Sequence, residues 1–290
     1  MSYDIYTGLL KAFPLRNKGD MQPDFTFDNN NPYSEKIKNI YPILDIAGNG
    51  TDFSKAVNLL KWVSKHNYHK GDFNVNIPYN SIELLSYSYD KDAEHGINCV
   101  ALATVLSECL LSIGLKARRV FLMPCSPYDG DNHVVAQVFI NELKKWVMLD
   151  PTYSAYLTNE QGEPLSLLEL RDYFANQKAV FFSKEAKYND DEWTEDSAKL
   201  GIEYFAKNLF YFQTSEKSAF GNTDAADITT NTNRFITICP ENYDVKQIRL
   251  SNIEYQVKLY GNFRQAKEWA DNVKNEKYNY CSYYDFESVP

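Results

Sequence analysis

The stretch from Asn98 to Gly114, NCVALATVLSECLLSIG, constrains this chain more than any other. Val100, Ala103, Leu106, Leu110 and Ile113 recur at helical spacing, and Leu102, Val105 and Cys109 widen the stripe. A helix this apolar around its circumference is buried and needs neighbours on several sides. Asn98 is a good N-cap residue and Gly114 stands where the chain turns away from a helix end. The residues that follow supply neighbours. Leu115–Met123, LKARRVFLM, reads as a strand, and PCSPYDGDN as turns. His133–Ile140 and Lys145–Leu149 are β-rich runs split by a short polar turn, a hairpin pattern. Asp150-Pro151 closes the second strand.

Elsewhere the signals are more local. Residues 1–50 are rich in Asn, Asp, Pro and Tyr with little periodicity, and MQPDFTFDNNNPYSEK, residues 21–36, reads as an extended arm or loops. From Asp52, with Thr51 as N-cap, Phe53, Ala56, Val57, Leu60 and Val63 recur at helical spacing. A short helix over 82–87 interrupts an irregular stretch from 66 to 98. Ser166 with Glu169 has the spacing of a capping box and starts a helix over 166–176. Residues 195–211 and 263–275 are further helix candidates, 235–239 and 248–259 are strand candidates, and 213–234 reads as a polar loop. The expected division is an N-terminal arm over 1–50, a core over 51–176 and an α/β extension over 177–290 packed on it.

The 17 Phe, 22 Tyr and 4 Trp supply the apolar area that a folded core requires. A net charge of −9 argues against nucleic acid and against anionic membranes as partners. No apolar run is long enough to span a bilayer, and MSYDIYTGLLKAFPL lacks the basic-then-apolar order of a secretory leader. Five scattered cysteines at 99, 109, 125, 239 and 281, with no CxxC pair, point to neither a zinc site nor a disulfide framework. A cytoplasmic location and no cofactor are the expectations.

The chemistry centres on Cys99, His133 and Asp150. A thiol nucleophile needs a thiolate, a base within reach and a partner that orients the base. Cys99 lies in the first turn of the buried helix, where unpaired N–H groups and the helix dipole stabilise an anion. The same N–H groups suit an acyl oxyanion. His133 opens one hairpin strand and Asp150 closes the other. With the turn centred on Glu142-Leu143, Asn141 faces Lys144 and Asp150 faces Val135. Side chains alternate along a strand, so His133 shares the face of Val135 and is a diagonal neighbour of Asp150. The opposite face then carries Val134, Ala136, Val138, Ile140, Val147 and Leu149, a good core face. A slip of one residue would separate His133 from Asp150.

The segments NCVALATVLSECLLSIGLKARRVFL and NHVVAQVFINELKKWVMLDPTYSAYL resemble the core of the transglutaminase-like superfamily over roughly residues 50–175. The resemblance implies an α+β, papain-like fold, with the Cys99 helix packed on an antiparallel sheet. It implies Cys99 as nucleophile, His133 as base and Asp150 as the carboxylate that orients it. The implied reaction is acyl transfer on the amide bonds of a peptide or protein substrate, with hydrolysis favoured over transamidation. The alternative is a module that keeps the fold without activity. Papain-type relatives place a Gln six residues before the Cys as an oxyanion donor, and here that position is Ala93. Tyr87, Tyr89 and Trp62 are the upstream aromatic alternatives, and Trp62 also reads as packing. His95 reads as a loop residue, and His66 and His69 as too sparse for a metal site. Cys109 reads as core and Cys125 as loop. One of Arg118 and Arg119 is expected to face the core and meet a carboxylate there.

Overall fold

The computed structural model describes residues 2–221, 234–261 and 263–288. In chain order the elements are α1 (Ser2–Ala12), β1 (Thr26–Phe27), α2 (Pro32–Ile40), α3 (Ile43–Ala47), α4 (Asp52–His66), α5 (Ser81–Ser88), α6 (Cys99–Ser112), β2 (Ala117–Met123), β3 (His133–Ile140), β4 (Lys145–Leu149), β5 (Leu157–Thr158), α7 (Leu167–Ala175), β6 (Phe181–Phe182), α8 (Glu195–Asn208), β7 (Tyr211–Ser215), β8 (Lys217–Ser218) and β9 (Phe235–Ile238). Helices Val245–Tyr260 and Phe263–Asn275, strand β10 (Asn279–Tyr280) and helix Tyr283–Phe286 complete it. The architecture is α+β. One six-stranded sheet has the order β10-β9-β7-β2-β3-β4 and is antiparallel apart from the β10–β9 pair.

Helix α6 lies on one face of this sheet, and its apolar residues meet Ala136, Val138, Ile140, Val147 and Leu149 from the hairpin. Helices α4 and α5 enclose it from the other side through Leu59, Val63, Leu84 and Leu85. The opposite sheet face carries Val120, Leu122, Val135 and Met148 and is covered by α1, α7 and α8. Both faces are therefore buried, which explains why every residue of β3 is buried.

Several caps occur where expected. Thr51 accepts from the Ser54 N–H, Asn98 from Ala101, and Ser166 with Glu169 forms a complete capping box. Gly114 has φ +87, which glycine adopts without steric cost.

Four local expectations need correction. The stretch 21–36 is loop and the short strand β1 only as far as Asn31, and helix α2 starts at Pro32, with the Asn31 side chain accepting from Tyr33 and Ser34; α1 and α3 lie on either side of it. Residues 248–259 are helical. Ile253, Tyr255, Val257 and Leu259 alternate like a strand, because this helix is half-exposed and has no buried stripe beyond Val245. The Asp244 side chain caps it, and Gly261 at φ +70 ends it. The helix after 195 stops at Asn208, and 211–215 joins the main sheet, so the polar run from 213 begins as strand. Its portion over 222–233 lies outside the described residues. Finally, Arg118 does not meet a carboxylate first. It donates to the Gln137 side-chain oxygen at 2.9 Å and to the Phe286 carbonyl at 2.7 Å, between the rings of Phe25, Trp146 and Phe286.

Glu108 is an acid in the middle of the buried helix. Its carboxylate accepts from the Ser81 N–H at 2.7 Å and the Gly221 N–H at 2.8 Å. Burial outweighs these bonds and pushes the carboxyl up to about 7. A raised carboxyl favours the protonated fold, so its stabilisation is complete below about pH 4.5 and is lost as pH rises through about 7. At roughly 1.4 kcal/mol per pKa unit, the span is on the order of 3 kcal/mol. Urea unfolding at acid and neutral pH is expected to show this decline in the wild type and a flatter response in Glu108→Gln. Equal pH slopes for the two proteins would refute the assignment.

Candidate active site

Cys99 begins α6 because Asn98 caps it, with Oδ1 accepting from the Ala101 N–H at 3.0 Å. The N–H groups of a first helical turn have no intrahelical acceptor, so those of Cys99 and Val100 are available to an anion. The approach to the helix is held by a bridge between two distant segments. Ile97 donates to Tyr68 O at 2.9 Å, and Lys70 donates to Ile97 O at 3.0 Å. Gly96 permits this contact. A Cβ there would lie 2.8 Å from Lys70 Cβ and 3.1 Å from Tyr68 O. The bridge sets His69 beside Ile97, two residues before the thiol.

His133 and Asp150 meet as the hairpin register requires. Ala136 pairs with Leu149 and Ile140 with Lys145. His133 Nε2 donates to Asp150 Oδ2 at 2.7 Å, and the two side chains are 2% and 1% exposed. Asp150 is itself fixed. Its Oδ1 accepts from the Thr152 N–H at 2.8 Å, and its main chain exchanges two bonds with Ala155 across a tight turn. Ser154 takes φ +49 in that turn. With Nε2 on Asp150, Nδ1 is the His133 atom left for the thiol.

Two imidazoles, those of His133 and His69, act on the Cys99 thiol. Burial alone would push this thiol up. The bonds to His133 and His69, and then their charge, reverse that and hold it at about 6. For His133 burial works toward the neutral ring, but Asp150 and then Cys99 hold it up at about 10. Between those values the pair is a thiolate and an imidazolium. Cys99 is partly exposed, so reagents can reach it, whereas burial pushes Cys109 above the ordinary thiol range.

His69 is the member that sequence reasoning missed. Its main chain is clamped by Asn189, which accepts from His69 N–H at 2.7 Å and donates to His69 O at 3.1 Å. Its Nδ1 lies 3.0 Å from the Tyr188 hydroxyl. No spacing between 69 and 99 announces this, because the two segments meet only through the Ile97 bridge. Helix α8 was also unassigned to the site. Tyr204 packs edge-on against His133 at 5.3 Å between centroids and donates to Asn132 O at 3.2 Å. Lys207 pairs with Asp129 at 2.8 Å and so braces the loop that leads into His133. Tyr153 lies 6.0 Å from the His133 ring and continues to Tyr188, Trp193 and Phe182. The charge of Cys99 reaches the hydroxyls of Tyr79, Tyr153 and Tyr204.

The upstream aromatic candidates pack elsewhere. Trp62 and Tyr89 contact each other and Tyr41, and Tyr87 contacts Phe73 and His95. His95 pairs with Asp92 at 2.7 Å and His66 with Asp90 at 2.5 Å. Among the described residues no group of three or more His, Cys, Asp or Glu is arranged to hold a metal, and no helix is long and apolar enough to cross a membrane.

A mostly antiparallel sheet, a buried helix led by a cysteine and a histidine–aspartate pair on the adjoining hairpin define an α+β thiol-site core. Residues 43–151, which include Cys99, His133 and Asp150, match the family model of the transglutaminase-like superfamily. The match supports a thiol-dependent enzyme in general terms. A solved structure described as a "putative cysteine protease" from Cytophaga hutchinsonii is similar at 16% identity and a TM-score of 0.30. The similarity covers 56% of this chain and 53% of that one, about half the length of each. No curated protein sequence matches the chain.

Proposed function

We propose that this protein is a thiol-dependent acyl-transfer enzyme that hydrolyses amide bonds in peptides or proteins, with Cys99 as nucleophile, His133 as acid and base, and Asp150 as the group that orients His133. The observation that carries this reading is a partly exposed helix-start thiol held at about 6 within reach of a histidine that is itself bonded to a buried aspartate. The Cys99 thiolate adds to the amide carbonyl carbon. As the C–N bond breaks, His133 gives its Nδ1 proton to the leaving amine. Water then loses a proton to His133 and adds to the thioester, and the C–S bond breaks to release the acid and restore the thiolate.

A groove of about 1120 Å³, lined in part by Asp131, Asn132, Asn252 and Trp269, adjoins the loop that leads into His133. Neither Cys99 nor His133 lines it, so it would receive a flanking part of a peptide and not the bond that is cut. Hydrolysis is favoured over transfer to an amine because the partly exposed thiol is open to water. Free cysteines throughout suit a reducing, cytoplasmic setting.

The test is turnover of a quenched-fluorescence peptide library by the wild type and Cys99→Ala. Cleavage lost in Cys99→Ala is expected. The pH profile should be bell-shaped, rising through about 6 as Cys99 ionises and falling through about 10 as His133 loses its proton. Absence of cleavage, together with a Cys99 that alkylates no faster than an ordinary thiol, would instead assign a binding role to the fold.

A further inference from the structure

We propose that His69 is a catalytic residue that donates a ring N–H, together with the main-chain N–H of Cys99, to the substrate oxygen that gains charge when the thiolate adds to a carbonyl. This rests on the acyl-transfer reading above. Acyl transfer through a thiolate develops negative charge on the carbonyl oxygen, and donors fixed in advance around that oxygen lower the barrier. The first turn of α6 supplies one such donor. Ala93, Tyr87, Tyr89 and Trp62 supply no second one, since the three aromatic side chains pack elsewhere and alanine has no polar side-chain atom.

His69 has the position and chemistry for the task. The bridge sets it beside Ile97, two residues before the thiol, and its ring acts on the Cys99 sulfur, so it lies beside a carbonyl that bonds to that sulfur. Its backbone is held on both sides, by the bridge to Ile97 and by the two bonds to Asn189. Its Nδ1 faces the Tyr188 hydroxyl, which burial keeps protonated and able to donate. A ring that accepts at Nδ1 carries its proton on Nε2, the nitrogen left to face the thiol. The two histidines then divide the work. His133 is charged by Asp150 and moves a proton, whereas His69 is bonded to a hydroxyl and donates without passing on a proton.

The step balances within these groups. The sulfur lone pair forms the S–C bond, and the carbonyl π pair moves onto oxygen, where the N–H of Cys99 and Nε2–H of His69 receive it. When the oxygen pair returns, the C–N bond breaks and the amine takes the His133 proton. His69 loses no proton in the cycle.

Two single-turnover reactions at Cys99 test this. Acylation by p-nitrophenyl acetate builds an oxyanion, whereas alkylation by iodoacetamide displaces iodide at a saturated carbon and builds none. Both are measured above each variant's own alkylation midpoint, so that thiolate fraction cancels. His69→Ala is expected to slow acylation about 10²–10³-fold, the effect of losing one such donor. Alkylation should change by less than about tenfold. His69→Gln, which keeps a side-chain N–H, should recover part of the acylation rate. Tyr188→Phe, which leaves the histidine in place, should lower the same ratio by a smaller factor. Equal slowing of both reactions in His69→Ala, or an unchanged ratio across all three variants, would overturn the proposal. A wild type that alkylates quickly yet never acylates at Cys99 would instead refute the acyl-transfer reading itself.

Discussion

Peptide turnover is expected to fall roughly 10²–10⁴-fold in His133→Ala, the usual effect of losing a general acid and base. Alkylation of Cys99 by iodoacetamide near pH 6.5 should fall only about tenfold. The difference has a physical cause. Without His133 the thiol returns from about 6 to at least its ordinary 9, so thiolate near pH 6.5 drops several hundredfold. The remaining thiolate is more basic, and with a Brønsted slope of about 0.4–0.5 it is some twentyfold more nucleophilic. Most of the loss is thereby offset for a reagent that needs no proton. An amide leaving group does need one, and no other group in the site is held as an acid by a buried carboxylate. Stopped-flow alkylation beside peptide turnover separates the two roles. Equal losses in both assays would mean that His133 only ionises the thiol.

The second large effect is expected far from the thiol. Glu287→Ala should destabilise the fold by about 3 kcal/mol, because it leaves the donors of Gln137, Leu167 and Leu168 without their acceptor and removes the carboxylate whose charge offsets that of buried Arg118. The Glu287 carboxylate accepts from Gln137 Nε2 at 2.5 Å and from the Leu167 and Leu168 N–H groups at 3.1 and 3.2 Å. It therefore caps α7 and completes the shell of Arg118, which is 1% exposed. Gln137 links the two, since its oxygen accepts from Arg118 while its nitrogen donates to Glu287. Glu287→Gln keeps an acceptor for the helix and should lose less. Urea midpoints at constant m-value measure both variants. A loss under about 1 kcal/mol in Glu287→Ala would show that this chain end contributes little to the sheet face.

Much of the central architecture was legible along the chain. The α6 stripe, its Asn98 cap, the hairpin register and the diagonal placement of His133 and Asp150 all follow from local pattern. A helix needs its stripe and cap within a few residues, and a hairpin needs its turn and alternation within twenty. The errors fell where that locality failed. The 245–260 helix hid its period because most of its residues are only partly buried, with no fully buried stripe. Helix α2 depends on its Asn31 cap, and α3 has no side-chain cap to announce it. Arg118 looked like half of an ion pair, yet residues 137 and 286 supply its acceptors and three rings cover its faces.

The nearest groups to the thiol show the same division. Cys99, His133 and Asp150 could be named from sequence, because a capped helix and one hairpin determine where they point. His69, Tyr188, Asn189 and Tyr204 could not. Their approach to Cys99 runs through the Ile97 bridge and the packing of α8, contacts between segments about thirty to more than a hundred residues apart. Backbone propensity acts over one turn or one strand pair, so the sequence by itself determined the place of Cys99 at the start of α6 and of His133 beside Asp150. Which groups surround the sulfur, and the depth to which His133 is buried, were decided only when distant segments closed over it.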